Sequence, residues 1–373
     1  NTKIGVVGNY QENFPNPATG VRRLIPDYEQ YKVGAFVIAD MEVSDRLTAE
    51  IGARLDHTFM DVFKFYRTSF WESRGYDVLF PNLVVEEFDN QILTNPELDF
   101  TNVSATTGIS YKLNDAYMLF ANYSLASRAP NASELFSEGL HHSASRIELG
   151  DLRFTSETAQ KFTLALQKKG ENFSFSVNPY ANFISDFIVI EPTGIQQTIR
   201  GNFQVWEYRQ TEARMLGIDT DLNWNIWEDV LYSNQFSLVK GWDQTRNTAL
   251  INMPPASIRN AIDYTLPFQH PLSVGLESNL VLEQNEFPDN NFEVFIPETE
   301  TLELVDISTP PEAYHLMGLR ISTQFELGGD KALDLNLKVT NLLNTSYRDY
   351  LNRLRYYADD LGRNVSLQLK FNY

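Results

Sequence analysis

LTAEIGARLD, residues 47–56, decides the fold. Leu47, Ala49, Ile51, Ala53 and Leu55 are apolar, and Thr48, Glu50, Gly52, Arg54 and Asp56 fill the alternate positions. A period of two places the sets on opposite faces of a β-strand. The pattern returns along the chain. In VSATTGISYKL, Val103, Ala105, Ile109, Tyr111 and Leu113 oppose Ser104, Thr106, Gly108, Ser110 and Lys112. In ALDLNLKVTNL, Leu333, Leu335, Leu337 and Val339 oppose Asp334, Asn336, Lys338 and Thr340. Roughly fourteen such runs can be counted, most of about 9–13 residues, the length of a tilted strand that crosses a bilayer. Strands of soluble domains average only ~5–6 residues.

The composition narrows the reading. With 30 basic and 49 acidic side chains the formal charge is -19, which excludes the basic footprint of a nucleic-acid binder. The chain has no cysteine, hence neither disulfides nor a thiolate metal site. No apolar run reaches the ~20 residues of a transmembrane helix. Aromatic residues make up 13% of the chain although its mean hydropathy is -0.31. Strands with one apolar and one polar face reconcile those two facts. No signal peptide is visible and Asn1 is not an initiator Met, so the chain reads as a piece of a longer protein.

Connections between the runs alternate in length. Short turns are expected at Ser44-Asp45, Asn114-Asp115, Lys169-Gly170-Glu171, Trp227-Glu228-Asp229 and Gly328-Gly329-Asp330. Long loops are expected near residues 12–30, 57–101, 128–156, 191–204, 242–257, 284–312 and 344–361. Long loops at one end and short turns at the other are the pattern of an antiparallel transmembrane β-barrel. The last run, GRNVSLQLKFNY, alternates Val365, Leu367, Leu369, Phe371 and Tyr373 with Ser366, Gln368, Lys370 and Asn372. It ends on an aromatic, as outer-membrane barrels do. Charged residues are tolerable on the inner face, whereas Arg or Lys facing lipid at the midplane costs ~2–4 kcal/mol.

Three segments resemble the barrel of TonB-dependent outer-membrane receptors. YSLASRAPNASELFSEGLHHSASRIELGDLRFTSETAQKFTLAL carries Arg128, Ala129, Pro130, Glu134, Leu135, Phe136, Gly150, Asp151 and Glu157. YRQTEARMLGIDTDLNW carries Ala213, Arg214, Gly217 and Asp219. NLLNTSYRDYLNRLRYYADDLGRNVSLQLKFNY carries Asn341, Leu342, Asn344, Tyr347, Gly362, Arg363 and Asn364. The resemblance implies an all-β fold, with residues 1–373 forming the C-terminal portion of a barrel of about 22 strands. A plug and the first strands would lie upstream. It also implies a bacterial outer-membrane location, an import function driven through TonB by an upstream segment, and contact with lipid and lipopolysaccharide. The cargo would be a scarce small molecule: a metal chelate, haem, a metal ion or a cobalamin-like compound. The alternative is a self-contained passive diffusion barrel.

Candidate cargo contacts follow from loop chemistry. EGLHHSASRIELGD, residues 138–151, pairs His141 and His142 with Glu138, Glu148 and Asp151. Imidazole with carboxylate suits zinc and related ions, so His141, His142, Glu148 and Asp151 form the candidate metal set. Adjacent histidines in an extended segment point apart unless a turn separates them. Asn131 followed by Glu134 predicts a capped helix, SELFSE, ending at Gly139. His57 and His315 are expected toward the same end; His270 is expected at the opposite one. Residues 288–303 offer Asp289, Asn290, Asn291, Glu293, Glu298 and Glu300 to calcium or to lipopolysaccharide bridged by divalent ions, without the spacing of a calcium-binding hand. In residues 347–360, Arg348, Arg353 and Arg355 alternate with Tyr350, Tyr356 and Tyr357, and the candidate cargo contacts there are Arg353, Arg355 and Tyr356. No cofactor is required. No G-x-S-x-G, phosphate-loop or H-E-x-x-H motif is present, and an enzyme is not expected.

Overall fold

The computed structural model describes residues 1–14, 23–296, 299–329 and 331–373. Among these, one antiparallel meander of fourteen strands forms a wall. The strands are β1 Thr2–Asn13, β2 Asp27–Ser44, β3 Leu47–Arg67, β4 Glu97–Lys112, β5 Tyr117–Arg128, β6 Glu157–Lys168 and β7 Phe173–Thr198. They continue with β8 Gly201–Trp227, β9 Val230–Asp243, β10 Ser257–Leu266, β11 Leu272–Val281, β12 Tyr314–Gly328, β13 Lys331–Thr340 and β14 Asn364–Asn372. Each pairs with the next, and no pairing joins β1 to β14 among the described residues.

The two faces are those the alternation requires. On β3, Ile51 and Leu55 are each 54% exposed, while Asp56, Thr58, Met60, Val62, Lys64 and Tyr66 are buried. The connections 68–96 and 129–156 fold over this second set, which is therefore the inner face. Met60, Val62 and Tyr66 pack there with Trp71, Tyr76, Leu135, Phe136 and Phe154. The largest buried apolar cluster thus belongs to loops and wall together. Lower on the inner face the wall is polar: Arg54 donates to Asp56 at 2.6 and 2.7 Å, and Arg320 bridges Asp263 at 2.9 Å and Glu277 at 3.0 Å.

Short and long connections alternate ends as expected. At one end only residues 45–46, 113–116, 169–172, 228–229, 267–271 and 329–330 separate neighbouring strands. Gly328 and Gly329 take φ of 92° and 63° to make the last of these turns, a conformation that glycine reaches without a Cβ penalty. Asp330, like residues 15–22 of the expected first loop, lies outside the described residues.

Strand length departs from expectation. β3 has 21 residues, β7 has 26 and β8 has 27. The expected loop at 191–204 is therefore a continuation of β7 and β8, closed by Ile199 and Arg200 alone. The expected loop at 57–101 begins eleven residues late, at 68, after β3 ends at Arg67. Beyond the amphipathic wall, backbone pairing can continue without an apolar outer face. The extensions consequently lack the alternation that marks the wall.

Candidate functional site

The connection 129–156 is built from the residues that carry the resemblance. Asn131 accepts from the backbone amides of Ser133 and Glu134, each at 3.0 Å, and Glu134 returns to the amide of Asn131 at 2.8 Å. This capping box starts the expected helix, but the helix is shorter than SELFSE and covers Ala132–Phe136. Ser137 and Glu138 are needed elsewhere: Ser137 accepts from the Gly150 amide at 2.7 Å, and Glu138 opens a hairpin. Arg128 fixes the base, with Glu134 at 2.9 Å and Glu157 at 3.0 Å. Gly150 passes so close to the helix that a Cβ would lie 2.6 Å from the Glu134 carbonyl oxygen. Only glycine permits that approach.

The hairpin pairs Glu138–His141 with Arg146–Leu149. Its second strand then adds in parallel to Gln204–Glu207 of β8, so the loop is stitched to the extended β7–β8 hairpin. Arg146 secures this seam by lying 4.5 Å over the Trp206 ring. His141 stands at the hairpin end, half-exposed, with Nδ1 2.9 Å from Glu148 Oε1. Glu148 is buried and also accepts from Arg146 at 2.7 Å. A carboxylate already paired with arginine accepts, so Nδ1 is the donor in this contact, and in the neutral ring the lone pair then sits on Nε2. Nε2 has no protein partner among the described residues. His142 is exposed and begins a single turn, His142–Ala144, closed by Ser145 at φ 51°.

The remaining candidates in this loop have structural employment. Glu138 is 1% exposed, with Lys64 at 3.4 Å and Arg67 at 3.6 Å, and is no cargo contact. Asp151 accepts from the Tyr76 hydroxyl at 3.0 Å and from the Arg153 side chain at 2.8 and 3.0 Å. Burial acts to raise its pKa, but the Arg153 hydrogen bonds outweigh burial and hold the carboxyl below the usual range. Burial, reinforced by Asp151, pushes the Tyr76 hydroxyl well up. The expected metal set does not assemble: among the described residues no three His, Asp or Glu side chains gather around a common point. Asp151 is pulled inward to Tyr76 while His141 is turned toward Glu148.

The other expected contributors separate likewise. His57 bonds Asp99 at 3.1 Å and Thr101 at 3.2 Å, and His315 bonds Ser278 at 2.7 Å. Both occupy outer-face positions of the alternation and cannot join His141. His270 lies in the short connection 267–271, against Phe325 at 5.0 Å, at the far end as expected. The described residues of 288–303 are largely paired. Phe292–Ile296 and Thr301–Val305 pair as a separate two-stranded ribbon, while Asn291 Oδ1 accepts from Ile307 and Ser308 at its base. Glu298 lies outside the described residues.

In residues 347–360, Arg355 is buried between the rings of Tyr350 at 4.2 Å and Tyr356 at 4.7 Å. It donates to the Tyr356 hydroxyl at 2.6 Å, which donates on to the Ile307 carbonyl at 2.8 Å. The pair clasps connection 341–363 to connection 282–313 and is not displayed to cargo. Arg353 is exposed. Sequence reading missed Arg146, Trp206 and Tyr76, whose roles depend on contacts between distant segments; only the basic residue two before Glu148 was a local signal.

The wall of residues 2–342 matches the family model described as TonB dependent receptor-like, beta-barrel. The chain belongs to that family. Among curated proteins it is similar to the Heme/hemopexin utilization protein C of Haemophilus influenzae (strain 86-028NP), 22% identical over 316 residues, or 79% of this chain and 41% of that protein. Among solved structures it is similar to the copper transporter OprC, with a TM-score of 0.73 at 15% identity over 99% of this chain and 53% of that one. The FrpB iron transporter from Neisseria meningitidis (F3-3 variant) gives 0.64 at 14% identity, over 99% and 52%. The chain therefore spans about half the length of these relatives, or less. At such identities the structural likeness concerns the TonB-dependent receptor barrel fold alone.

Proposed function

We propose that this chain is barrel wall and loop apparatus of a bacterial outer-membrane uptake receptor whose cargo is an iron-bearing chelate, haem foremost, captured through His141. The observation that carries this is the His141–Glu148–Arg146 relay at the loop end. A metal-ligating histidine characteristically bonds a carboxylate through its other nitrogen, which fixes the tautomer and raises ligand basicity. Here Nδ1 is committed to buried Glu148 and Nε2 is left outward. A single axial ligand needs no three-residue cluster, so the absence of a chelating group among the described residues is compatible with haem and unfavourable to a bare ion. The family supports uptake driven through TonB, engaged by a segment outside this chain, and the haem-utilisation relative supports the cargo class. Arg353 and His142, both exposed, are further cargo contacts on this reading.

The test is spectroscopic titration of the full-length receptor with haemin in detergent. His141→Ala is expected to abolish the iron–imidazole signature, and Glu148→Gln to weaken affinity by roughly 10- to 100-fold, the usual effect of removing a ligand's orienting partner. An unchanged spectrum and affinity in His141→Ala refutes the assignment.

A further inference from the structure

The outer face of β9–β11 carries a row of polar side chains. Inner positions here are identified by their partners: Ser233 donates to Asn223 at 2.8 Å, Gln235 to Asp221 at 3.0 Å, and Arg320 bridges Asp263 and Glu277. The opposite parity faces outward. It carries Tyr232, Asn234 and Phe236 on β9, Ile258, Asn260 and Ile262 on β10, and Leu276, Ser278 and Leu280 on β11. Asn234 is paired in register with Asn260, and Asn260 with Ser278. Each polar residue of this row is flanked along its strand by outward apolar or aromatic ones. The row therefore lies within the apolar band, and this inference rests on the reading that the chain stands in the outer membrane.

Hydrogen bonding within the row is incomplete. Asn234 Nδ2 and the Tyr232 hydroxyl both donate to Asn260 Oδ1, each at 2.8 Å. That leaves Asn260 Nδ2 and Asn234 Oδ1 without hydrogen-bond partners among the described residues: one donor group and one acceptor, side by side. Acyl chains cannot satisfy either, and an unpaired amide in hydrocarbon is costly.

We propose that this row is an interface between two copies of the chain within the membrane. A two-fold axis beside the row would bring Asn260 Nδ2 of each copy to Asn234 Oδ1 of the other, the self-complementary exchange that an isologous contact requires. The outward positions named on β9–β11 include no Asp, Glu, Lys or Arg, His315 borders the row through its bond to Ser278, and Ile258, Ile262 and Leu276 supply an apolar surround. Polar side chains act as such adhesive between membrane segments because lipid offers them nothing.

The chain contains no cysteine, which makes cross-linking a clean test. Ile262→Cys, one position along the outer face from Asn260, and Leu337→Cys, on the outer face of β13, are introduced separately into the full-length protein. Outer membranes are then oxidised and dimer-sized disulfide products are quantified. Ile262→Cys is expected to cross-link, and adding Asn234→Leu with Asn260→Leu is expected to reduce the product roughly tenfold, as for loss of two membrane-embedded hydrogen bonds. Equal cross-linking at position 337, or no effect of the leucine pair, overturns the interface. Heat-modifiable migration in gels reports that each variant is a folded barrel; outward leucines suit lipid and should preserve it. A protein recovered folded from the soluble fraction instead refutes the membrane reading, and the interface with it.

Discussion

Gly150→Ala tests whether the loop residues that carry the family resemblance act by fastening rather than by touching cargo. The added Cβ would sit 2.6 Å from the Glu134 carbonyl oxygen, 2.7 Å from the Leu135 carbonyl carbon and 2.8 Å from its oxygen. All three are backbone atoms, so no side chain can swing aside. Relief requires helix Ala132–Phe136 and residues 150–151 to separate. Two hydrogen bonds then fail, from the Gly150 amide to Ser137 at 2.7 Å and from the Asp151 amide to Glu134 at 3.0 Å. Overpacking costs about 1–3 kcal/mol and each lost hydrogen bond about 1 kcal/mol, giving about 3–5 kcal/mol of local destabilisation. Because each 1.4 kcal/mol is tenfold, amide exchange at positions 150 and 151 should quicken by roughly two to three and a half orders of magnitude. The assay is hydrogen exchange on the folded full-length receptor, with the wall strands as internal standard. Wall protection should stay unchanged. Unaltered exchange at 150 and 151 would refute the account of this loop.

Further outcomes follow from the loop contacts. The depressed pKa of Asp151 means its stabilisation is fully present above the ordinary carboxylate value of about 3.9 and is lost as pH falls through the lower folded value. Loop protection around Tyr76 and Leu152 should thus decline below about pH 4, and hydrogen exchange across an acid series in the wild type and Asp151→Asn checks this, the variant showing a smaller decline. Arg355→Met removes a hydrogen bond and two cation–ring contacts, a local loss of about 1–3 kcal/mol. Exchange should rise in connection 282–313 as well as in 341–363, and a rise confined to 341–363 would contradict the clasp.

The wall was legible because its cause is local. Alternation in LTAEIGARLD or ALDLNLKVTNL states both the strand and its buried face, and fourteen such runs reappear as fourteen wall strands. Strand extensions were not legible. GIQQTIRGNFQV, residues 194–205, has no apolar stripe and no Asn-Gly or Asp-Gly turn signal, yet backbone pairing carries β7 and β8 through it. The capping box at Asn131 was readable from two residues three apart, though where its helix stops depends on Gly150 approaching from afar. Histidine placement was half legible. Composition located His141 in a loop, but its orientation comes from Glu148, whose own position comes from Arg146 and the seam to β8. Asp151 looked like a ligand beside the histidines, and its partner, Tyr76, lies 75 residues away.

The parallel seam between Arg146–Leu149 and Gln204–Glu207 also bears on how this receptor tolerates change. A loop tethered only at its ends could be lengthened with little effect on the wall. This one is indexed to β8, so the height and facing of His141 are inherited from a strand that runs down to the opposite rim at Trp227. Inserting two residues into β8 between the seam at Glu207 and the wall would carry the imidazole further out on the same face; inserting one would turn the seam over and put Glu148 on the wrong side of it. On the proposed reading, drift in the β7–β8 hairpin would then be felt as a change in cargo affinity, without any substitution in the histidine loop itself.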